Sequence, residues 1–245
     1  MPDRSRYGLI GKTLGHSFSK TYFTEKFKRL NLSADYLNFE LASIEDISDL
    51  LKAKDLKGLN VTIPYKEEVI PFLDRTSEVA KSVGAVNTIA FKDNEVIGYN
   101  TDVIGFEQSL KPLLKHGMHK ALVLGTGGAS KAVTYVLKKI GLDVLLVSRN
   151  PIGQGVISYD ECNKNAVKWH RLIVNTTPLG TYPDTKISPP IDYEGISDQH
   201  LLYDLIYNPT ETRFLLEGKK RGAEICNGLD MLKIQAEESW KIWNQ

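Results

Sequence analysis

Apolar positions in the first hundred residues fall into short runs of period two, separated by stretches of period three to four. Residues 6–11 (RYGLIG), 34–41 (ADYLNFEL) and 56–64 (LKGLNVTIP) read as strands. Between them, residues 20–30 (KTYFTEKFKRL) and 44–54 (IEDISDLLKAK) read as amphipathic helices, with shorter helical pieces at 66–73 (KEEVIPFL) and 77–84 (SEVAKSVG). This alternation predicts a mixed or parallel sheet covered by helices. It breaks at 85–102 (AVNTIAFKDNEVIGYNTD), where two strand runs flank KDNE, a hairpin pattern.

A helix at 103–115 (VIGFEQSLKPLLK) and a polar connector, HGMHK, lead into a second series. Residues 121–125 (ALVLG) form a buried-type strand, 128–141 (GASKAVTYVLKKIG) a helix stopped by Gly141, and 143–150 (DVLLVSRN) a second strand. Residues 171–178 and 201–207 are further parallel-type strands, and 229–243 (LDMLKIQAEESWKIW) is a helix apolar on one face. The pattern predicts two α/β lobes with a boundary near residues 100 to 120.

At 245 residues the chain is long enough to bury a sizeable core in either lobe. A net charge of +1 gives no broad field for a nucleic-acid backbone, so any anion must be met locally. Two cysteines without a CxxC pair offer no disulfide framework or zinc knuckle. The five histidines, His16, His116, His119, His170 and His200, suggest no metal cluster. Apolar runs stay far below the roughly 20 residues that span a bilayer, so no membrane partner and a cytoplasmic location are expected.

Chemistry enters at GTGGAS. Gly125, Gly127 and Gly128, with Thr126 and Ala129 among them, lie directly between a strand and a helix, the setting in which glycines permit a tight turn and a helix N-terminus faces a pyrophosphate. Ser130 stands where a third glycine often sits. The next strand ends in Ser148, Arg149 and Asn150, with no acid to accept from ribose hydroxyls. Arg149 suits a 2′-phosphate, which favours NADP over NAD, although it also reads as a solvated loop charge.

In the first lobe, hydroxyls, amides, one ammonium and one carboxylate follow strand-like runs: Ser17, Ser19, Asn60, Thr62, Lys66, Asn87 and Asp102. Such neutral donors and acceptors suit a small polyhydroxylated molecule. Read singly, Ser19 and Asp102 are equally good helix caps, and Lys66 beside two glutamates is an ordinary surface charge.

Taken in order, GHSFS, NVTIPYK, GAVNT, GYNTD, GTGGAS and GLDMLKIQAEESW resemble the shikimate dehydrogenases over nearly the whole chain. The resemblance implies a substrate domain of residues 1–101 with 227–245 and a Rossmann-like NADP-binding domain, with a parallel sheet, of residues 102–226. It implies reversible NADP-linked reduction of 3-dehydroshikimate to shikimate, with Lys66 and Asp102 as the catalytic pair. Ser17, Ser19, Asn60, Thr62, Lys66, Asn87, Asp102, Tyr207 and Gln235 are implied for the substrate, and Thr176, Leu205 and Gly228 join the glycine turn as cofactor contacts. In this reading Leu59, Val61 and Ile63 face the core while Asn60 and Thr62 look into a cleft.

The chain departs from the family pattern at SFSK and at NTTPLGTYP, which bears on the contacts of Asn175, Thr176 and Thr177. Asn208, Pro209 and Glu211 also read as a helix start, and Gln235 as a solvated helix position. A quinate dehydrogenase, a non-catalytic NADP sensor and a folate-type methylene dehydrogenase are the competing readings. Monomer and homodimer both stay open.

Overall fold

A computed structural model describes residues 4–15 and 17–245; His16, within GHSFS, lies outside the described residues. The chain forms two compact units, Met1–Thr101 with Ala236–Gln245, and Asp102–Gln235.

In the first unit the order is β1 (Ser5–Gly11), α1 (Phe18–Arg29), β2 (Ala34–Glu40), α2 (Ile47–Leu51), β3 (Leu56–Val61), β4 (Arg75–Thr76), α3 (Glu78–Val83), β5 (Thr88–Lys92) and β6 (Glu95–Tyr99). The strands make one mixed sheet, β2-β1-β3-β5-β6-β4, in which β5 runs antiparallel to both neighbours. The hairpin read from KDNE is present: Asp93 and Asn94 sit at φ 53° and 62°, the paired left-handed conformation of a two-residue turn that matches strand twist. Period two sorts the core. Ile10, Leu59, Val61 and Ile89 join one apolar cluster, from which Ile63, expected in the core, is absent because it lies exposed beyond the end of β3; Tyr7, Leu9, Phe23, Phe27 and Tyr36 join another with Ala236, Trp240 and Trp243. Gly58 is required where it stands, because a Cβ there would overlap the Trp243 indole.

The second unit contains α4 (Asp102–Leu110), β7 (Lys120–Leu124), α5 (Gly128–Lys139), β8 (Asp143–Val147), β9 (Val156–Ile157), α6 (Lys164–Trp169), β10 (Leu172–Asn175), β11 (Leu201–Asp204), α7 (Arg213–Lys219) and β12 (Glu224–Cys226). The last helix, α8 (Leu229–Trp243), contains the division between the units. All six strands of the second sheet are parallel, in the order β12-β11-β10-β7-β8-β9. Strands β10 and β11 are buried throughout, as expected where helices cover both faces. The order reverses between β7 and β10, the topological switch point of a Rossmann-type sheet. No helix among the described residues is long and apolar enough to cross a membrane.

Several local expectations are corrected. KEEVIPFL is a run of turns with a single 3-10 turn at Ile70–Phe72, since Pro71 supplies no donor to continue a helix. Helix α4 stops at Leu110, ahead of Pro112. Ser17 rather than Ser19 caps α1, accepting from Lys20 N at 3.2 Å. The helix expected from Asn208 begins only at Arg213, capped by Thr212. The short elements β4, β9, α6, α7 and β12 have too few residues for a period to register.

Candidate active site

Strand pairing in the second unit sets Val147, Leu124, Asn175 and Asp204 level with one another. Each residue expected at the cofactor follows a carboxyl end of this sheet: Gly125 to Ala129 after β7, Ser148 to Asn150 after β8, Thr176 after β10, Leu205 after β11 and Gly228 after β12. That edge is where open parallel sheets bind ligands.

Gly125 has φ 108°, and a Cβ there would press on Thr176 Oγ1 at 2.8 Å. Gly127 precedes α5 and is different, since an added Cβ would meet nothing within 4 Å. Its missing side chain leaves room for a ligand rather than relieving a clash. Among the described residues no side chain caps α5 and no acid lies in its first turn, so backbone N–H groups and the positive end of the helix dipole are left to meet an anion. These features fit a dinucleotide pyrophosphate. Ser130, in the third-glycine position, is buried and donates to the Gly125 carbonyl at 2.8 Å, which pins the turn.

After β8, Ser148 Oγ lies 3.2 Å from both the N and the O of Asn150, closing a turn that leaves Arg149 exposed. Thr176 donates through N and Oγ1 to the Leu124 carbonyl at 3.0 and 2.6 Å, and Leu205 N donates to Asn175 O at 3.0 Å. Gly228 N donates to Ile206 O at 3.0 Å, and any Cβ at Gly228 would overlap the Leu205 carbonyl.

Asp204, which sequence reasoning passed over, organises this edge. It is fully buried and accepts from Asn175 Nδ2 at 3.0 Å, Ile206 N at 3.1 Å and Thr212 Oγ1 at 2.6 Å. Burial pushes its carboxyl up to about 6, with the three hydrogen bonds pulling the other way. Asn175 in turn accepts from Thr177 N and Oγ1 at 3.0 and 2.7 Å, so the NTTP departure is braced internally. The available signal was an acid closing an apolar strand, LLYD.

In the first unit, Asn60 is enclosed, at 4% exposure, rather than open to a cleft. Its Oδ1 accepts from Tyr36 OH at 2.7 Å, and its Nδ2 donates to Ser239 Oγ at 3.0 Å, Thr88 Oγ1 at 3.2 Å and Asn87 O at 3.3 Å. Asn87 is also buried: its Oδ1 accepts from Thr101 N at 2.7 Å, and its backbone N–H bonds Tyr99 O at 3.0 Å. Ser19 is buried and hydrogen-bonded to Tyr36. Ser17 and Thr62 are half-buried, and Ser17 keeps its hydroxyl proton for a further acceptor because its capping bond uses only a lone pair.

Lys66 is half-buried on a turn with two anchors. Tyr65 is buried and donates to Leu41 O at 2.7 Å, and the Lys66 carbonyl accepts from Val86 N at 2.7 Å. In the second unit, Asp102 is a buried acid in the first turn of α4. Gln235, also buried, donates to Leu232 O at 3.0 Å, and Tyr207 is half-buried with its hydroxyl pushed up by burial.

Among the described residues, no group of three or more His, Cys, Asp or Glu is arranged to hold a metal. His200 is buried by a structural role: its Nδ1 accepts from Ser197 N at 3.0 Å and its Nε2 lies 3.1 Å from Val167 O.

Residues 9–89 match the family model described as the shikimate dehydrogenase substrate binding domain. A shikimate dehydrogenase (NADP(+)) from Carboxydothermus hydrogenoformans is 40% identical over 252 residues, covering 96% of this chain and 90% of its own. Shikimate 5-dehydrogenase from Thermus thermophilus, solved with NADP(H) and shikimate, superposes with a TM-score of 0.83 at 31% identity, covering 98% of this chain and 93% of that one. A quinate dehydrogenase from Corynebacterium glutamicum, solved with NAD, gives 0.86 at 26% identity over the same shares.

Proposed function

Because the chain belongs to the shikimate dehydrogenase family and is an NADP-dependent oxidoreductase, we propose that it interconverts shikimate and 3-dehydroshikimate, with Lys66 and Asp102 as the catalytic pair. Backbone likeness alone does not choose the substrate, since the quinate enzyme superposes as well as the shikimate enzyme. Sequence identity favours shikimate.

The cofactor, when bound, would supply the hydride in its reduced form, NADPH, and accept it in its oxidised form, NADP. The protein's own work is to orient and to move one proton. The uncapped N-terminus of α5 binds the pyrophosphate, and Arg149, exposed after β8 with no neighbouring acid in its turn, pairs with the 2′-phosphate. Ser17, Ser19, Asn60, Thr62, Asn87 and Gln235 match the substrate's hydroxyls and carboxylate, and Tyr207 adds a further contact. In the reducing direction Lys66 gives its proton to the oxygen of the ring ketone as the carbon gains hydride, and in the oxidising direction it takes that proton back. Asp102 holds a ring hydroxyl of the substrate.

The observation that carries this reading is the combination of an uncapped glycine-opened helix in one unit with a closed set of neutral amides and hydroxyls in the other. It is tested by following NADPH formation from NADP with shikimate, and with quinate, for the wild type and Lys66→Ala. Turnover on shikimate that falls by at least about a hundredfold in Lys66→Ala supports it. Tight NADP binding without turnover favours a sensor, and faster turnover on quinate reassigns the substrate.

A further inference from the structure

We propose that Thr88 is a positioning residue for the substrate site, its hydroxyl setting the orientation of the Asn60 and Asn87 amides and tying both to α8 through Ser239. Antiparallel pairing of β3 with β5 places Asn60 directly opposite Thr88, so both side chains leave the same face of the sheet. Thr88 is fully buried and touches no solvent. Its Oγ1 accepts from Asn60 Nδ2 at 3.2 Å and donates to Asn87 Oδ1 at 3.2 Å. Ser239 Oγ lies 2.8 Å away and Thr101 Oγ1 3.3 Å away.

An amide donates only through nitrogen and accepts only through oxygen. One hydroxyl that accepts a hydrogen bond from the first amide and donates one to the second therefore helps to hold the rotation of both. Tyr36 completes the arrangement from the other side, donating to Asn60 Oδ1 and hydrogen-bonding to Ser19. A continuous chain of hydrogen bonds thus runs from Ser19 through Tyr36, Asn60 and Thr88 to Asn87 and Thr101, the residue before Asp102. Three of its members are assigned above, by resemblance, to the substrate. Thr88 and Ser239 are enclosed and act through them, at a site where satisfied buried networks rigidify what they hold.

This inference rests on shikimate being the substrate, and the measurements keep the two apart. Thr88→Val preserves shape and removes the hydroxyl. Asn60 keeps Ser239 and the Asn87 carbonyl, and Asn87 keeps Thr101, so the fold is retained. Calorimetry and steady-state kinetics on the intact enzyme should show shikimate Kd and KM raised about tenfold, with NADP affinity within about twofold. Thr88→Ser should restore shikimate binding. Shikimate affinity unchanged in Thr88→Val, or Thr88→Ser as weak as Thr88→Val, overturns the role. Should Thr88→Val fail to fold, Ser239→Ala is read the same way, and unchanged shikimate affinity there overturns it too. A wild type that neither binds nor oxidises shikimate removes the substrate reading itself.

Discussion

Asp204 offers a test of the second unit that is independent of catalysis. Its carboxyl is fully buried and receives three hydrogen bonds, all from uncharged donors, Asn175, Ile206 and Thr212. With no cation among the described residues to offset desolvation, burial wins and raises the group from 3.8 to about 6. The native state therefore holds this proton up to about pH 6, whereas the unfolded chain releases it near 3.8. Between those values the native state binds more protons, so stability falls as pH rises through the window and levels off above it.

A shift of about two units corresponds to roughly 3 kcal/mol in full, of which roughly 2 kcal/mol falls between about pH 4.5 and pH 7.5. Asp204→Asn removes the titration and keeps the shape. Its oxygen still accepts from Asn175 and Ile206, and its amide reverses the bond to Thr212. Urea unfolding followed by circular dichroism at the two pH values gives the variant's stability minus that of the wild type, in which all other titrations cancel. That difference should grow by about 2 kcal/mol from the lower to the higher pH. Parallel curves would refute the assignment of a buried, proton-holding carboxyl. Asp204→Ala should instead destabilise at both pH values by about 2 kcal/mol or more, since three buried donors lose their acceptor.

Two further outcomes concern the cofactor edge. Gly228→Ala forces a Cβ into the Leu205 carbonyl, a backbone atom with no rotamer to yield, so stability should drop by about 1–3 kcal/mol and the KM for NADP should rise, read by thermal unfolding and kinetics. Arg149→Ala should lower the NADPH-over-NADH preference by about tenfold or more while leaving the KM for shikimate unchanged; an unaltered preference would return Arg149 to the status of a solvated charge.

The elements that were legible in the sequence carry their own punctuation. Glycines bracket α5, α8 repeats its apolar face over four turns, and KDNE marks a turn that needs two left-handed residues. What was not legible depends on pairing. Alternation in LKGLNV shows that Asn60 and Leu59 take opposite faces, but not which face is covered. The cover over Asn60 is Ser239, 179 positions away, together with Tyr36. Thr88 directly follows the candidate Asn87 in GAVNT, yet its role comes only from the β3–β5 register. Asp204 closes an apolar strand, and its importance lies in its burial among uncharged donors, which one sequence does not reveal.

The two units thus reach preorganisation by opposite means. At the carboxyl edge of the second sheet, a side chain is missing at Gly127, where the proposed ligand approaches, and the backbone supplies the donors. Glycine spacing is visible in a sequence, so that half was readable. In the first unit the polar groups are present and already satisfied by one another, so that on the proposed reading the aligned amides and hydroxyls need little reorganisation to meet the substrate. The cost of ordering them is met during folding, by packing against Tyr36 and α8, rather than at binding. Substitutions in that network should accordingly weaken substrate affinity more than they weaken the fold, as the retained partners of Asn60 and Asn87 require.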